Sequence, residues 1–264
     1  MLNVDKTYKL LIGGAFVRSE SGRTYKVGEK NVPLGSRKDL RDAIRVARVA
    51  QSGWASKTDF NRGQILYRTA EMLDARQDEF RFLPGMNGKE VNESVDALVY
   101  YAGWCDKIAQ VAGTVNPVNG AYFNFTFPEP MGVVGIVTAK NSSLTEVVKQ
   151  IAVAVAGGNT VVVLLPENDP IPSLTMAEIY NTSDYPAGVI NLISGKTQEM
   201  LPHLGAHMDV NAIDTTGCSA GQEAELEMLA AGNVKRIVRN QTKNTPFSII
   251  NLMEMKTVWH PVGN

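Results

Sequence analysis

The sequence predicts an α/β protein built on a doubly wound parallel sheet, with an N-terminal helical region and a β-ribbon. Between about residues 132 and 240, short apolar segments rich in Val and Ile alternate with helical stretches of about 10 to 15 residues. Continuous apolar segments fit strands that are covered on both faces. Strands that alternate with helices form parallel sheets with right-handed crossovers, and this pattern therefore predicts the central sheet.

The N-terminal part is predicted to be a hairpin followed by helices. Tyr8–Ile12 and Ala15–Arg18 flank the turn residues Gly13 and Gly14, which is typical of a β-hairpin. Apolar residues at helical spacing then predict helices over about 40–54, 60–80 and 91–112. We therefore expect a helical region at about 37–113.

The central sheet is expected to contain five parallel strands. Each is a short apolar run bounded by a helical stretch. The predicted strands are Val133–Val137, Val161–Leu165, Val189–Ile193, Val210–Ile213 and Val234–Val238.

A β-ribbon is predicted at about 114–130 and 255–261. Aromatic residues alternate through Phe123–Pro130, and Met255–Trp259 is a second strand-like segment near the end of the chain. Exposed strands present backbone donors and acceptors that another subunit can pair. We therefore interpret the ribbon as an interaction surface, with an ordinary edge strand folded onto its own domain as the alternative.

Composition disfavours several classes of partner. The 264 residues carry a formal net charge of −1, which gives no excess field for nucleic acid or anionic lipid. The longest apolar run, Ile151–Ala156, is far shorter than the roughly 20 residues that span a bilayer. Two cysteines and three unpaired histidines predict neither a disulfide framework nor a metal site. We expect a cytoplasmic protein.

Several segments, in order along nearly the whole chain, resemble the aldehyde dehydrogenase superfamily. They include YKLLIGGAFV, YYAGWCDKIAQVAGTV, PEPMGVVGIV, IAVAVAGGNTVVV, YPAGVINLISG and AGNVKRIV. The resemblance implies that residues 1–264 form a single NAD-binding domain of Rossmann-like fold. It also implies that the family's catalytic domain is absent, because a segment similar to the family's C-terminal oligomerisation strand follows Pro246 almost directly.

The resemblance places Asn141 at the family's oxyanion-stabilising amide, with Lys140 where a tryptophan usually precedes it. An oxyanion donor without a nucleophile has nothing to stabilise, so we favour a role for Asn141 in capping the helix that starts near Ser143. The family's ribose-binding lysine corresponds to Leu164, whereas Glu167 occupies the place of a nearby glutamate.

The remaining cofactor-binding positions implied by the resemblance are Gly195, Gly217 and Cys218. Gly217 and Cys218 lie in the turn TTGCSAG, which resembles the family's phosphate-facing turn and is expected to point backbone amides at an anion. A thiol at a helix N-terminus can form a reactive thiolate. Since Cys218 replaces a phosphate-facing serine, we favour a small buried residue that packs the turn.

The same turn also matches the G-x-S-x-G elbow of serine hydrolases, at Gly217–Gly221. That elbow needs an acid and then a histidine further along the chain. No aspartate follows Ser219, and His260 is the only later histidine. This alternative is therefore disfavoured.

Asn240 occupies the position of the family's general-base glutamate, and Thr242 and Lys243 replace the glycine pair that follows. The pattern resembles the degenerate second module of two-module aldehyde dehydrogenases. It predicts a non-catalytic protein that forms a homodimer or joins a catalytic aldehyde dehydrogenase, with no cofactor or only weakly bound NAD(P). Two alternatives stay open: a dinucleotide-binding sensor, and an active NAD-linked oxidoreductase completed by another chain.

Overall fold

The computed structural model describes residues 6–240 and 243–263. The strands are β1 (Leu10–Ile12), β2 (Ala15–Val17), β3 (Thr24–Val27), β4 (Lys30–Pro33), β5 (Thr114–Asn116), β6 (Tyr122–Pro130), β7 (Val133–Val137), β8 (Thr160–Leu164), β9 (Ile190–Ile193), β10 (Ala212–Asp214), β11 (Arg236–Val238) and β12 (Met253–Pro261). The helices are α1 (Arg37–Ala55), α2 (Asp59–Ala75), α3 (Gln77–Arg81), α4 (Gly88–Trp104), α5 (Ile108–Ala112), α6 (Leu144–Ala156), α7 (Ile171–Asn181), α8 (Thr197–Ala206), α9 (Ala220–Ala230) and α10 (Phe247–Ile250).

The central sheet has the order β11-β10-β7-β8-β9-β1-β2. Strands β7 to β11 are parallel to their neighbours among themselves. β7, the first of the five parallel strands along the chain, lies in the middle of those five. β8 and β9 follow on one side of it and β10 and β11 on the other, so the winding reverses between β7 and β10. This arrangement confirms the predicted doubly wound sheet. Its crevice lies at the carboxyl ends of β7 and β10, where such sheets bind ligands.

Helices cover both faces of the sheet, as the continuous apolar strands require. Val134 and Ile136 of β7 belong to one hydrophobic cluster, together with residues of α2, α4, α6 and α7. Val133 and Val137 point to the other face and pack with residues of α1, α8 and α9. Alternate side chains of one strand therefore serve two separate cores.

Two of the predicted helices are each divided in the structure. The helix expected over 60–80 breaks at Arg76, which ends α2 and precedes α3. The helix expected over 91–112 breaks after α4, where the amides of Cys105 and Lys107 bond to carbonyls only three residues earlier. Such short-range bonds tighten the last turn of a helix.

The N-terminal hairpin is confirmed and has an additional position in the fold. Gly13 and Gly14 have φ of +62° and +76°, which the tight turn between β1 and β2 requires. β1 also pairs antiparallel with β9 through Leu11 and Leu192. The hairpin thus extends the central sheet, a placement that the sequence pattern did not predict.

The predicted ribbon is a three-stranded sheet of order β12-β6-β5. The tail strand β12 pairs antiparallel with β6 along its whole length, from Met253 opposite Pro130 to Pro261 opposite Tyr122. The segment Phe123–Pro130 is therefore a central strand within its own chain, and its interpretation as a strand left open for another subunit is corrected.

No helix among residues 6–240 and 243–263 is both long enough and apolar enough to cross a membrane.

Asn159 joins the ribbon sheet to the central sheet. Its side chain is fully buried and accepts a hydrogen bond from the Gly132 amide at 2.9 Å. Its Nδ2 donates to the carbonyls of Ala154 at 3.1 Å and Leu252 at 3.0 Å. One amide therefore connects the start of β7, the end of α6 and the start of the tail strand.

Replacing this anchor should destabilise the whole chain. In Asn159→Ala the Gly132 amide and the two carbonyls lose their buried partner, so we expect a loss of about 2 to 5 kcal/mol in the free energy of unfolding. Urea denaturation measures this quantity. Asn92→Ala, on the exposed side of α4, is the matched control and should change stability by less than about 0.5 kcal/mol. Equal effects of the two variants would contradict the anchoring role.

Candidate functional site

The crevice at the carboxyl ends of β7 and β10 is closed by direct contact of its two loops. The Gly217 amide donates to the Val137 carbonyl at 3.2 Å. A Cβ atom at Gly217 would lie 2.1 Å from the amide nitrogen of Ala139 and 2.3 Å from the carbonyl carbon of Thr138. Glycine is therefore required here by the approach of another backbone.

The backbone amides of the turn after β10 are already used within the protein. The Thr216 amide donates to Asp214 Oδ1 at 2.9 Å, and the Cys218 amide donates to the Thr215 carbonyl at 2.8 Å. The Ser219 amide donates to Gln222 Oε1 at 3.0 Å. The prediction that this turn points free amides at an anion is therefore wrong for these positions, because the turn is packed and hydrogen-bonded against its own chain.

Asn141 does not cap the helix α6. It is exposed, and its Oδ1 accepts a hydrogen bond from Asn168 Nδ2 at 2.7 Å. Ser143 caps α6 instead, in a capping box with Glu146. The Asn168 amide also donates to the Lys140 carbonyl at 3.0 Å. Asn141 thus ties the loop after β7 to the loop after β8, which corrects the capping interpretation.

Glu167 is held by a cation that the sequence did not predict. Lys196 Nζ lies 2.6 Å from Glu167 Oε1, whose side chain is 11% exposed. The same ammonium lies 5.5 Å from the ring centre of Tyr25. Leu164, which occupies the position of the family's ribose-binding lysine, is fully buried in β8. The positive charge beside Glu167 therefore comes from Lys196, in the loop between β9 and α8.

Burial raises the pKa of the Tyr25 phenol, and the nearby carboxylates of Glu167 and Asp169 raise it further. The phenol is therefore neutral at physiological pH. Together with Lys196, these side chains form a polar cluster at the carboxyl ends of β8 and β9.

Gly195 has a packing role in the structure. Its φ is +154°, and a Cβ atom there would lie 3.1 Å from both the amide nitrogen and the carbonyl oxygen of Gly35. The Gly35 amide donates to the Ser194 carbonyl at 2.8 Å. The loop that precedes α1 therefore occupies the space beside Gly195.

The environment of Cys218 disfavours a reactive thiolate. The residue is 8% exposed and packs in the core between the sheet, α8 and α9. Burial raises the pKa of its thiol to about 12, and the Glu223 carboxylate contributes to the increase. Desolvation thus outweighs the helix dipole on which the thiolate interpretation depended. These facts favour a small packing residue.

Ser219 caps α9 in a capping box with Gln222. Its Oγ accepts from the Gln222 amide at 3.4 Å and contacts Gln222 Oε1 at 3.2 Å. His260 lies in the tail strand, paired with Phe123. The hydrolase-elbow pattern therefore corresponds to an ordinary helix start.

Asn240 belongs to a partly buried polar cluster around the buried Asp214. Its Nδ2 donates to Asp214 Oδ2 at 3.3 Å, and its amide donates to Thr216 Oγ1 at 2.9 Å. Its Oδ1 accepts from Asn251 Nδ2 at 3.3 Å. Asn240 thus connects the end of β11 to the turn after β10. Thr242, which follows it, lies outside the described residues.

Asp214 is the residue of this site that the sequence reasoning missed. It ends β10, is fully buried, and accepts hydrogen bonds from both the amide and the hydroxyl of Thr216. Burial raises the pKa of its carboxyl group, although these donors and Asn240 oppose that shift. A carboxylate directly after the apolar run Val210–Ile213 was the available signal. Its bonds fix the two loops that close the crevice.

The fold is an α/β domain of the Rossmann-like, NAD-binding type. The model of the Aldehyde dehydrogenase family matches residues 26–260, and the chain belongs to this family.

The DhaS protein of Bacillus subtilis is 34% identical over 249 residues, which cover 88% of this chain and 50% of DhaS. The mitochondrial aldehyde dehydrogenase family 2 member B4 of Arabidopsis thaliana is 30% identical, with 91% and 48% covered. The NAD+ complex of an aldehyde dehydrogenase from Bacillus cereus superposes with a TM-score of 0.79 at 25% identity, with 88% and 50% covered. The chain thus spans about half the length of these relatives.

A side chain at Gly217 should separate the loops after β7 and β10 and destabilise the chain. In Gly217→Ala the new methyl group meets backbone atoms that have no room to move, so we expect destabilisation by at least about 3 kcal/mol or failure to fold. Gly221→Ala is the matched control, because it lies in α9 with no atom within 4 Å of the added carbon. It should stabilise the chain by about 0.5 to 1 kcal/mol. Thermal unfolding of both variants checks the pair, and a stable Gly217→Ala protein would contradict the close contact.

Proposed function

We propose that this chain is a non-catalytic interaction subunit of the aldehyde dehydrogenase family, similar to the degenerate second module of two-module members. In this proposal residues 1–264 act as an NAD-binding-type domain in the cytoplasm. It forms a homodimer or joins a catalytic aldehyde dehydrogenase. The observation that carries the proposal is the ribbon sheet, in which Tyr122, Phe123 and Trp259 remain exposed although its strands are paired.

The residues of the crevice support the absence of catalysis. Oxidation of an aldehyde by this family's chemistry requires a cysteine thiolate and a base to release the product. The position of the base holds Asn240, whose amide accepts no proton. Cys218 and Cys105 are both buried, and burial raises the pKa of both thiols to about 12. Neither thiol is therefore poised to act as a nucleophile.

The exposed aromatic residues of the ribbon sheet support a role in association. Trp259 is 59% exposed, Tyr122 is 48% exposed, and their rings lie edge to face with centres 5.8 Å apart. Phe123 is 46% exposed and packs beside Phe125, with ring centres 5.4 Å apart. Large exposed aromatic groups that are held in fixed positions are typical anchors of protein interfaces.

Polar side chains fix the strands that carry these aromatic groups. Asn116 Nδ2 donates to Asn124 Oδ1 at 2.6 Å and to Thr126 Oγ1 at 2.9 Å. The hydroxyl of Thr126 lies 2.9 Å from that of Thr257. The three strands are thus linked by side chains as well as by backbone bonds. A rigid surface of this kind loses little entropy when a partner binds.

Removal of the tail tryptophan should weaken assembly. We expect the intact chain to be at least a dimer at micromolar concentration and Trp259→Ala to lose about 2 to 3 kcal/mol of association energy, because a buried indole is a large part of an interface. Size-exclusion chromatography with light scattering measures the mass. The control is Phe82→Ala, which removes an aromatic residue that is 87% exposed and lies outside the ribbon sheet.

The same measurement distinguishes the two proposed partners. A homodimer has twice the chain mass without additions, whereas a hetero-oligomer forms only with a co-expressed catalytic aldehyde dehydrogenase. A stable monomer that does not shift in the presence of such a homologue would overturn the proposal. A shift that Trp259→Ala leaves unchanged would place the interface elsewhere.

Binding of a dinucleotide without turnover is the second candidate function. The order of the central sheet and the likeness to an NAD+ complex from Bacillus cereus favour it. The ion pair of Lys196 with Glu167 and the bond between Asn141 and Asn168 occupy groups that a nucleotide would need. NAD(P) binding by this chain is therefore proposed to be weak or absent.

Calorimetric titration with NAD+ tests this candidate. Leu164 occupies the position of the family's ribose-binding lysine. Loss of the charge-assisted hydrogen bonds of such a lysine costs about 1.5 to 3 kcal/mol of binding free energy, or roughly 10- to 150-fold in affinity. We therefore expect a dissociation constant above about 100 μM and no reduction of NAD+ on addition of an aldehyde. Affinity in the low micromolar range that Glu167→Gln abolishes would favour the sensor, and NAD+ reduction would favour an active oxidoreductase.

A further inference from the structure

A cavity of about 460 Å³ opens between the start of α1 and the end of α8, and we name it the α1–α8 cavity. Its volume lies in the range of sites for small molecules. The charged and titratable side chains of its wall are Arg37, Lys38, Arg41, His203 and His207, and no described carboxylate lines it. Neither the ribbon sheet nor the crevice at β7 and β10 contributes a residue to this wall.

The three cations of the wall lie where an α-helix disfavours positive charge. Arg37 and Lys38 are the first two residues of α1, and Arg41 follows Arg37 one turn later. The N-terminus of a helix is the positive end of its macrodipole, and like charges four residues apart repel each other. Local features that break such rules are expected at functional sites. A bound anion would offset both the dipole and the repulsion.

Two of these cations are neutralised only by exposed ion pairs. Lys38 Nζ lies 2.6 Å from Glu20 Oε1, and Arg41 Nη2 lies 3.0 Å from Asp42 Oδ1. The four side chains are between 40% and 62% exposed, so water screens their attraction. The guanidinium of Arg37 has no ion-pair or hydrogen-bond partner in the described part of the chain.

The side chains of this wall are mainly hydrogen-bond donors. Arginine and lysine side chains donate and do not accept. The Asp209 amide donates to His207 Nδ1 at 3.2 Å, so the proton of the neutral ring is on Nε2, which can donate. The ring of His203 has no hydrogen-bond partner among the described residues. Such a wall fits a ligand that is rich in acceptors.

The backbone amides at the start of α1 are already used within the helix cap. The Lys38 and Asp39 amides donate to Ser36 Oγ at 3.3 and 3.4 Å. The Ser36 amide donates to Asp39 Oδ2 at 2.8 Å. The site therefore depends on side chains and not on the helix terminus.

A metal ion fits this wall less well than an anion does. His203 and His207 lie four residues apart, a spacing that two metal ligands can share on a helix. However, the three positive charges beside them oppose a cation, and no group of three metal-ligating side chains occurs among the described residues. Glu20 and Glu199 line a neighbouring cavity of about 290 Å³ instead.

We propose that the α1–α8 cavity binds the dianionic phosphate group of a small phosphorylated molecule, with Arg37 as its main anchor. Arg37 and Arg41 donate to phosphate oxygens from one side, and His207 Nε2 donates from the other. Several cations match two negative charges better than the single charge of a carboxylate. The site is independent of whether the chain assembles through Trp259 or binds a dinucleotide in the crevice.

A matched set of three-carbon probes tests the site: glycerol 3-phosphate, the carboxylate glycerate and the neutral glycerol. Each is titrated into the intact, isotope-labelled chain at about pH 7.5, where a phosphate monoester carries nearly two charges. Ionic strength is held constant because salt screens exposed charges. NMR follows the rings of His203 and His207 and the Nε–H signal of Arg37. We expect saturable shifts with glycerol 3-phosphate, about fivefold weaker binding of glycerate, and no saturation with glycerol.

Arg37→Gln should weaken glycerol 3-phosphate binding by about three- to tenfold, because it removes charge-assisted hydrogen bonds in a site that is open to water. Arg45→Gln is the matched control, since it removes the same charge from an exposed position of α1 outside the wall. It should change binding by less than about twofold. An equal loss in the two variants, equal binding of glycerate, or no saturable shift with glycerol 3-phosphate would overturn the proposal.

Discussion

The buried amide of Asn159 is the interaction on which the arrangement of the chain depends. Each of its three hydrogen bonds reaches a different segment: the start of β7, the end of α6 and the residue before the tail strand. Because the tail strand pairs with β6, and β6 leads directly into β7, this side chain holds the ribbon sheet to the central sheet. The position of the exposed aromatic residues of the ribbon sheet thus depends on a hydrogen-bonded side chain in the core.

The crevice at the carboxyl ends of β7 and β10 is packed by groups of its own chain. The turn after β10 has the location of a phosphate-binding turn, yet Asp214, Thr216 and Asn240 satisfy one another across it. Gly217 then brings the backbone of the first loop into contact. A ligand would have to break these bonds before it gained any of its own. This competition is the physical basis for expecting weak nucleotide binding.

The sequence predicted the parallel strands well because a strand covered on both faces needs a continuous apolar run, as at Val133–Val137. It did not predict the breaks at Arg76 and Cys105, since neither residue disfavours a helix strongly by itself. Pairs distant in the chain, such as Lys196 with Glu167, leave no local pattern. Of the missed site residues, only Asp214 had a local signal, a charge at the end of an apolar strand.

The N-terminal hairpin affects how the chain can fold. β1 pairs with β9, and the Gly13 amide donates to Asn191 Oδ1, a partner 178 positions later, at 2.9 Å. During synthesis the first strand therefore waits, unpaired on that side, until most of the domain has left the ribosome. Contacts of such long sequence separation slow folding and prolong the exposure of strand edges. β1 can therefore join the central sheet only after β9, the third of the parallel strands, has been made.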